Sequence, residues 1–182
     1  MMWKNTENQW GRVSIIVHWL SALAVTVLFF LGLWMVDLSY YDSWYQTAPY
    51  LHKSLGVCLF LVILFRMLWR KINVIPVPVS THTEFESKAA RIVHGLIYLL
   101  LLLIMLSGYL ISTADGRAIE VFGLFKVPAL IYGLHQQEDI AGEVHFILAV
   151  SLMLLVIIHI SGSLKHHFID KDITLKRMLG IQ

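Results

Sequence analysis

The chain has 182 residues, of which 58% are hydrophobic and 14% are charged, and its formal net charge is +2. Soluble globular domains average about 45–50% apolar and about 25% charged residues, so this composition excludes an ordinary soluble domain and is typical of an integral membrane protein. A single cysteine, Cys58, leaves no internal disulfide available. We therefore expect one membrane domain over residues 1–182 that contacts lipid and has no nucleic-acid partner.

Four stretches of the chain are long and apolar enough to cross a bilayer, which takes about 20 residues. They are residues 13–36, 50–69, 92–112 and 144–164. The first stretch lacks a small-residue cleavage site and carries His18 and Trp19 near its start, so we interpret it as a retained span and not as a signal peptide. The prediction is an all-α, four-helix membrane bundle, because helices satisfy their own backbone hydrogen bonds in lipid.

The distribution of basic residues predicts the orientation. Lysine and arginine are concentrated in the N-terminal segment, in the connection between the second and third spans and in the C-terminal tail, for example at Lys4, Arg70 and Lys176. The other two connections hold seven acidic and three basic residues. Because short cytoplasmic segments collect lysine and arginine, both termini are predicted to be cytoplasmic.

The first two spans carry polar residues at matching intervals. His18 lies near the inner start of the first span, and Gly32 follows it by fourteen residues, at the outer level. His52 begins the second span on the outer side, with Lys53 beside it, and Arg66 follows His52 by fourteen residues. Small residues let a large flat ligand approach the backbone, although ordinary helix packing uses them too. A guanidinium at the inner level is suited to a carboxylate of such a ligand, with snorkelling toward lipid headgroups as the alternative.

The fourth span contains two histidines, His145 and His159, separated by fourteen residues. This interval is about four helical turns, so both rings leave the same face about 21 Å apart along the axis. The hydrocarbon core is about 30 Å thick, which places one ring near each edge. With alternating spans, His52 is level with His145 and His18 with His159. Two facing pairs at two depths are what bis-histidine ligation of two b-type haems requires.

Other metal chemistry fits this pattern less well. A metal transporter would usually add carboxylates or thiolates at the same depth, and the two levels are too far apart for one zinc site. His94 also lies at the inner level, and spacing cannot choose between it and His18 for the inner iron. His166 and His167 are expected to face solvent or headgroups, with proton exchange at a quinone site as the alternative. The connections contain two further histidines to which we assign no role, His82 and His135.

Several short motifs together resemble one known family. They are HWL at His18, LHKSLG around His52, RIVHGLIYL around His94, the spaced pair in the fourth span and KHHF at residues 165–168. With these motifs the chain resembles the bacterial cytochrome b561 family of small four-helix dihaem membrane proteins, which is related to the cytochrome b subunits of nickel-iron hydrogenases. The resemblance covers nearly the whole chain and implies a protein of the bacterial inner membrane.

The resemblance also implies which residues bind the cofactors. It implies two haem b groups with axial ligands at His18, His52, His145 and His159. His94 is then left for a supporting, propionate or quinone-site role, with a plain core histidine as the alternative. Arg66 and Lys53 are the remaining candidate cofactor-binding residues, at the inner and outer levels respectively.

The resemblance implies a quinone-linked electron carrier, and some members of the family are superoxide oxidases that reduce ubiquinone. The outer connections have an excess of four negative charges, which disfavours steering of an anion, although Lys53, Arg117 and Lys126 could make a local positive funnel. We therefore expect electron exchange between the quinone pool and a periplasmic donor or acceptor protein. The alternatives are a superoxide:ubiquinone oxidoreductase and a non-catalytic haem-storage or sensing protein. The outer segment IEVFGLFKVPALIYGL is expected to lie along the interface as a short amphipathic element.

Overall fold

The computed structural model describes residues 2–79 and 82–181 and is mostly helical. Its elements in chain order are α1 (Arg12–Val36), α2 (Thr47–Ile72), α3 (Glu84–Thr113), β1 (Ile119–Val121), β2 (Phe125–Val127), α4 (Gln137–Phe168) and α5 (Thr174–Leu179). Helices α1 to α4 are each long and apolar enough to cross a membrane, which confirms the four predicted spans and the helical class. The short helix α5 was not predicted.

Two helices begin well before the apolar runs that the sequence shows. At the start of α3, the Thr83 hydroxyl accepts a hydrogen bond from the Glu86 backbone N–H at 3.2 Å, and the Glu86 carboxylate accepts one from the Thr83 backbone N–H at 2.9 Å. Helix α4 begins with Glu138 and Asp139 in its first turn, where negative charge is favourable next to the helix N-terminus. Hydropathy identifies the lipid-facing part of each helix, whereas these polar residues decide where the helix starts.

The helices pack as two neighbouring pairs, α1 with α2 and α3 with α4. Helix α5 returns to the start of α1, where the Trp19 indole donates a hydrogen bond to the Met178 carbonyl oxygen at 2.8 Å. The Val77 backbone N–H donates to the Glu7 carbonyl oxygen at 2.9 Å, which ties the α2–α3 connection to the N-terminal segment. Both chain ends therefore lie at one end of the bundle, called the terminal end below. The opposite end is called the hairpin end.

The hairpin end takes its name from the antiparallel pair β1 and β2. Phe122 and Gly123, with positive φ angles of 50° and 69°, lie in the three-residue loop that reverses the chain between the two strands. Val121 is fully buried, and the Ser54 hydroxyl on α2 donates to the Glu120 carbonyl oxygen at 3.3 Å. The outer segment therefore differs from the expected amphipathic element lying on lipid, because alternate residues of β1 are buried against α2.

A compact apolar layer separates the two ends of the bundle. It consists of five buried side chains, Leu28, Leu59, Ile63, Leu101 and Leu152. Leu152 lies seven residues from His145 and seven from His159, so this layer is midway between the two histidine levels. The outward surfaces of the helices carry many exposed apolar side chains, as contact with lipid requires.

Candidate functional site

The structure brings together both of the histidine pairs that the sequence suggests. At the terminal end, the ring centroids of His18 and His159 are 6.3 Å apart and the ring planes are inclined by 70°. At the hairpin end, the centroids of His52 and His145 are also 6.3 Å apart, with an angle of 67° between the planes. The bundle thus holds two similar histidine pairs, one from α1 and α4 and one from α2 and α4.

This centroid distance is the one expected for two imidazoles on opposite sides of one metal ion. An imidazole nitrogen binds a first-row metal at about 2.0 Å, and the centroid of a five-membered ring with sides of about 1.35 Å lies about 1.15 Å behind that nitrogen, which gives about 6.3 Å in total. His94 also faces His159, but its centroid lies only 5.0 Å away. That distance is too short for the same arrangement, so the geometry favours His18 over His94 as the partner of His159.

At the hairpin end, one hydrogen bond defines the tautomer of His145. The Nδ1 atom of this ring lies 3.0 Å from the Ile104 carbonyl oxygen, and because a carbonyl oxygen only accepts, Nδ1 must carry the hydrogen. The Ser107 hydroxyl lies 3.0 Å from the same nitrogen. The Nε2 atom of His145 therefore has its lone pair available for a metal. Across the pair, the Nδ1 atom of His52 is buried and makes no hydrogen bond to any residue that the structure describes.

Two glycines make space for these two rings. A Cβ atom at Gly32 would lie 3.2 Å from Cε1 of His52, and a Cβ atom at Gly108 would lie 3.1 Å from Cε1 of His145. Carbon atoms normally pack at about 3.5–4.0 Å, so any side chain at these positions would push the ring away. Gly32 was expected either to admit a macrocycle or to serve ordinary helix packing, and in the structure it makes room for the His52 ring and lines the large cavity at this level. Gly108 was not singled out from the sequence.

A large cavity adjoins the pair at the hairpin end. Its volume is about 1170 Å³, and its lining includes both histidines and reaches down to Leu152 of the apolar layer. Pockets for small organic ligands are usually about 300–1,000 Å³, so this space can hold a large flat group. The opposed imidazoles, the glycines and the cavity together fit a haem at this level.

Charged residues surround the mouth of this cavity. Lys53, Asp115 and Arg117 are among its lining residues. The Arg117 side chain donates to the Asp115 carboxylate at 2.6 Å, and this hydrogen bond lowers the pKa of that carboxyl. The positive charge of Arg117 is thereby paired, whereas the exposed Lys53 makes no ion pair within 4 Å to any residue in the described part of the chain.

At the terminal end, Arg66 lies at the predicted level and contacts a histidine. Its guanidinium donates to Nδ1 of His18 at 2.8 Å and lies over the ring of Tyr98, 5.6 Å from the ring centroid. His94 completes this group beside His159. Three histidines and one arginine therefore gather at this level, in the membrane-spanning part of the bundle.

The tail histidines differ from expectation. The side chain of His166 is only 14% exposed, and its Nδ1 atom lies 2.8 Å from Asp170 and 3.3 Å from Asp172. The Nδ1 atom of His167 is buried as well. Positions facing solvent or headgroups were expected, but the chain after α4 folds back and brings Asp170 and Asp172 against the His166 ring. His82, to which no role was assigned, contacts Asp172 at 3.1 Å.

Three known proteins are similar to this chain over nearly its whole length. Cytochrome b561 homolog 2 of Escherichia coli (strain K12) is 52% identical over 180 residues, which cover 99% of this chain and 96% of that protein. Cytochrome b561 homolog 1 of the same organism is 24% identical over 175 residues, covering 94% and 97%. A protein of Yersinia pestis named probable superoxide oxidase CybB is 26% identical over 174 residues, covering 95% and 97%.

The four spanning helices and these relatives place the chain in the bacterial inner membrane as a multi-pass protein. The family model described as prokaryotic cytochrome b561 matches residues 9–180, which include all four spans and both histidine pairs. The chain therefore belongs to the prokaryotic cytochrome b561 family of membrane electron carriers.

Proposed function

We propose that this protein carries electrons across the inner membrane through two haem b groups, and that it exchanges them between the quinone pool and a periplasmic donor or acceptor. The observation that carries the proposal is the pair of equal centroid distances, 6.3 Å, on opposite sides of the apolar layer. Haem iron supplies reversible one-electron chemistry, which imidazole ligands and their hydrogen bonds tune.

In this proposal the hairpin-end haem is held by His52 and His145. The Ile104 carbonyl oxygen accepts from Nδ1 of His145 at 3.0 Å, which would leave Nε2 as the nitrogen that binds haem iron. Such a hydrogen bond orients the ligand and raises its basicity. The apolar layer of five buried aliphatic side chains lies beneath the cavity, between the two histidine levels.

The terminal-end haem is held by His18 and His159. Coordination through Nε2 of His18 puts the ring hydrogen on Nδ1, and that nitrogen could then no longer accept the hydrogen bond from Arg66. The guanidinium would be released to another acceptor at the same level, and a propionate carboxylate suits its paired donors. His94, beside His159, is proposed to tune this site without ligating the iron.

The basic residues favour a cytoplasmic terminal end, and the hairpin end then faces the periplasm. A periplasmic redox partner would approach the mouth of the large cavity, next to Lys53 and the hairpin. The exposed apolar side chain of Leu124 at the hairpin turn, 81% accessible, is available for such a contact.

A second candidate function is superoxide oxidation. Two superoxide anions would each give up one electron and leave as dioxygen, and one ubiquinone would take both electrons with two protons. Lys53 supports this candidate because its charge lies at the cavity mouth, and the Yersinia pestis relative carries the name of such an enzyme. Against it, Arg117 is paired with Asp115, and Lys126 lies 4.0 Å from Glu120, so two of the three cations of the expected funnel face carboxylates.

The first test is a haem count on the purified protein, together with a reduced-minus-oxidised spectrum. We expect two b haems per chain, and one or none would contradict the proposal. Stopped-flow mixing with quinol and with superoxide then separates the functions. Rapid reduction by quinol supports the quinone-linked carrier, fast superoxide turnover with quinone present supports the oxidase, and no fast reaction with either would favour a storage or sensing protein.

A further inference from the structure

A second group of metal-binding side chains lies at the terminal end, away from the two histidine pairs. His82 precedes α3, His166 lies in the last turn of α4, and Asp172 follows in the segment that leads to α5. The Asp172 side chain is only 1% exposed, and the two imidazoles are each 14% exposed. Three separate parts of the chain thus bring two imidazoles and one carboxylate to a largely buried point.

The distances among the donor atoms suit a tetrahedral metal ion. The Oδ2 atom of Asp172 lies 3.1 Å from Nε2 of His82 and 3.3 Å from Nδ1 of His166, and all three donor atoms lie within 4.8 Å of one another. Zinc binds imidazole nitrogen and carboxylate oxygen at about 2.0 Å, and a tetrahedron with such bonds has edges of about 3.3 Å. The two imidazole rings are tilted toward a stacked arrangement, with centroids 4.2 Å apart and planes inclined by 33°. Two imidazoles on one tetrahedral ion would have centroids about 5.1 Å apart, so the rings must separate by about 0.9 Å when the ion binds.

The surrounding residues already orient the donors. The Thr174 backbone N–H donates to Oδ1 of Asp172 at 2.8 Å, which turns Oδ2 toward the histidines. The Thr174 hydroxyl lies 3.0 Å from Nε2 of His82. Nδ1 of His166 is buried and makes no hydrogen bond of good geometry to a described residue, although two carboxylate oxygens lie within 3.3 Å of it. A nitrogen in that position is a candidate metal ligand.

Nearby charges decide which further residue could join the site. Lys165 forms ion pairs with Glu86 and with Asp170, so the charge of Asp170 is already paired. Nδ1 of His166 lies 2.8 Å from Oδ2 of Asp170 and 3.3 Å from Oδ2 of Asp172, so both carboxylates adjoin this nitrogen. The fourth position of a tetrahedron is then available to water or, if Lys165 turns away, to Asp170.

We propose that His82, His166 and Asp172 form a binding site for a divalent transition metal ion such as Zn²⁺. The mixed imidazole and carboxylate set suits zinc, whereas Mg²⁺ prefers oxygen ligands alone. The ion joins the segment before α3 to the end of α4 and so fastens the C-terminal tail to the bundle. This site is independent of the haem ligands and does not rest on the direction of electron flow.

The test uses the whole chain loaded with haem, so that the haem-site histidines are occupied. The protein is purified without a histidine tag, because such a tag would itself bind zinc. Titration with Zn²⁺ against a fluorescent chelator is expected to show one tight site per chain, with no comparable binding of Mg²⁺. Removal of any one of the three ligands should weaken zinc binding by at least about tenfold, because even the loss of a residue that only supports a ligand lowers metal affinity by about 10–100-fold. We expect that loss in His82→Ala, His166→Ala and Asp172→Asn.

The matched control is His135→Ala, which removes an exposed histidine near the hairpin end and should leave zinc binding unchanged. A wild-type measurement guards against variants that misfold: zinc K-edge X-ray absorption should show two imidazole nitrogens and oxygen at about 2.0 Å. Zinc should also raise the melting temperature of the wild type. The proposal is overturned if the wild type binds no zinc, if its absorption spectrum lacks imidazole ligands, or if all three folded variants bind zinc as tightly as the wild type.

Discussion

Replacement of Gly108 by alanine should loosen the haem at the hairpin end without unfolding the protein. The new Cβ atom would lie 3.1 Å from Cε1 and 3.4 Å from Nδ1 of His145. Since carbon atoms pack at about 3.5 Å or more, the ring would have to retreat by about 0.4 Å. Alanine favours a helix over glycine by up to about 1 kcal/mol, so α3 itself should not be destabilised.

The retreat of the ring acts on the hydrogen bond that orients it. Nδ1 of His145 donates to the Ile104 carbonyl oxygen at 3.0 Å. A shift of about 0.4 Å away from that oxygen would take the bond beyond the usual limit of about 3.2 Å. Such a bond contributes about 0.5–1.5 kcal/mol, and the loss of a residue that supports a metal ligand typically weakens binding by about 10–100-fold. We therefore expect the hairpin-end haem to bind about tenfold more weakly, a loss of about 1.4 kcal/mol.

The assay is the transfer of haem from the detergent-solubilised protein to an excess of a haem-scavenging apoprotein. One of the two haems should leave about tenfold faster in Gly108→Ala, because affinity differences appear mainly in dissociation rates. Gly95→Ala is the matched control on the same helix, since a Cβ atom there meets no described atom within 4 Å. Equal release rates in Gly108→Ala and the wild type would refute the reasoning, as would an equal acceleration in Gly95→Ala.

Three further predictions concern the ligands and the cavity mouth. His52→Ala should leave one haem per chain, counted by pyridine haemochrome, and loss of both haems from folded protein would contradict independent sites. His18→Ala should lose the terminal-end haem, whereas His94→Ala should keep it with an altered midpoint potential in a redox titration; the reverse would make His94 the ligand. Lys53→Glu should leave reduction by neutral quinol unchanged in stopped flow, as should the control Lys126→Glu. If Lys53→Glu slows the oxidation of superoxide, and if added salt also slows that reaction in the wild type by screening charges beyond about 10 Å, superoxide is the donor.

The histidine levels could be predicted from the sequence because a helix has a fixed rise. Fourteen residues of α4 separate His145 from His159, and the alternation of spans then decides which histidines face them. The same reasoning placed Arg66 at the terminal-end level, where it contacts His18. Spacing left the choice between His18 and His94 open. Centroid distances of 6.3 Å and 5.0 Å to His159 favour His18 in the proposed arrangement, and such distances depend on three-dimensional packing.

A signal for Gly108 was present in the sequence but was not used. Gly108 follows His94 by fourteen residues, as Gly32 follows His18. In both cases the glycine on one helix makes room for a histidine ring on the next helix along the chain, His52 or His145. Helices α1 and α3 thus have equivalent roles, although their sequences show no repeat that we could defend.

Other features depend on contacts that no spacing rule predicts. His82 and Asp172 are ninety residues apart in the chain and meet because the tail folds back after α4. The hairpin depends on local geometry, namely positive φ angles at Phe122 and Gly123, and on the burial of Val121 against the bundle. An apolar segment at a membrane surface can face either lipid or protein, and composition alone does not distinguish these two cases.

The apolar layer between the two histidine levels also has an electrical consequence. The levels are about 21 Å apart in a hydrocarbon core about 30 Å thick, so an electron passing between them crosses about 70% of the membrane voltage. At about 2.3 kcal/mol per charge per 100 mV, this movement involves about 1.6 kcal/mol of electrical work for each 100 mV. With the terminal end in the cytoplasm, an inside-negative voltage opposes inward transfer and assists outward transfer. A difference in reduction potential measured in detergent lacks this contribution of about 70 mV for each 100 mV of membrane voltage. It would therefore overstate the driving force for inward electron transfer in energised cells and understate the driving force for outward transfer.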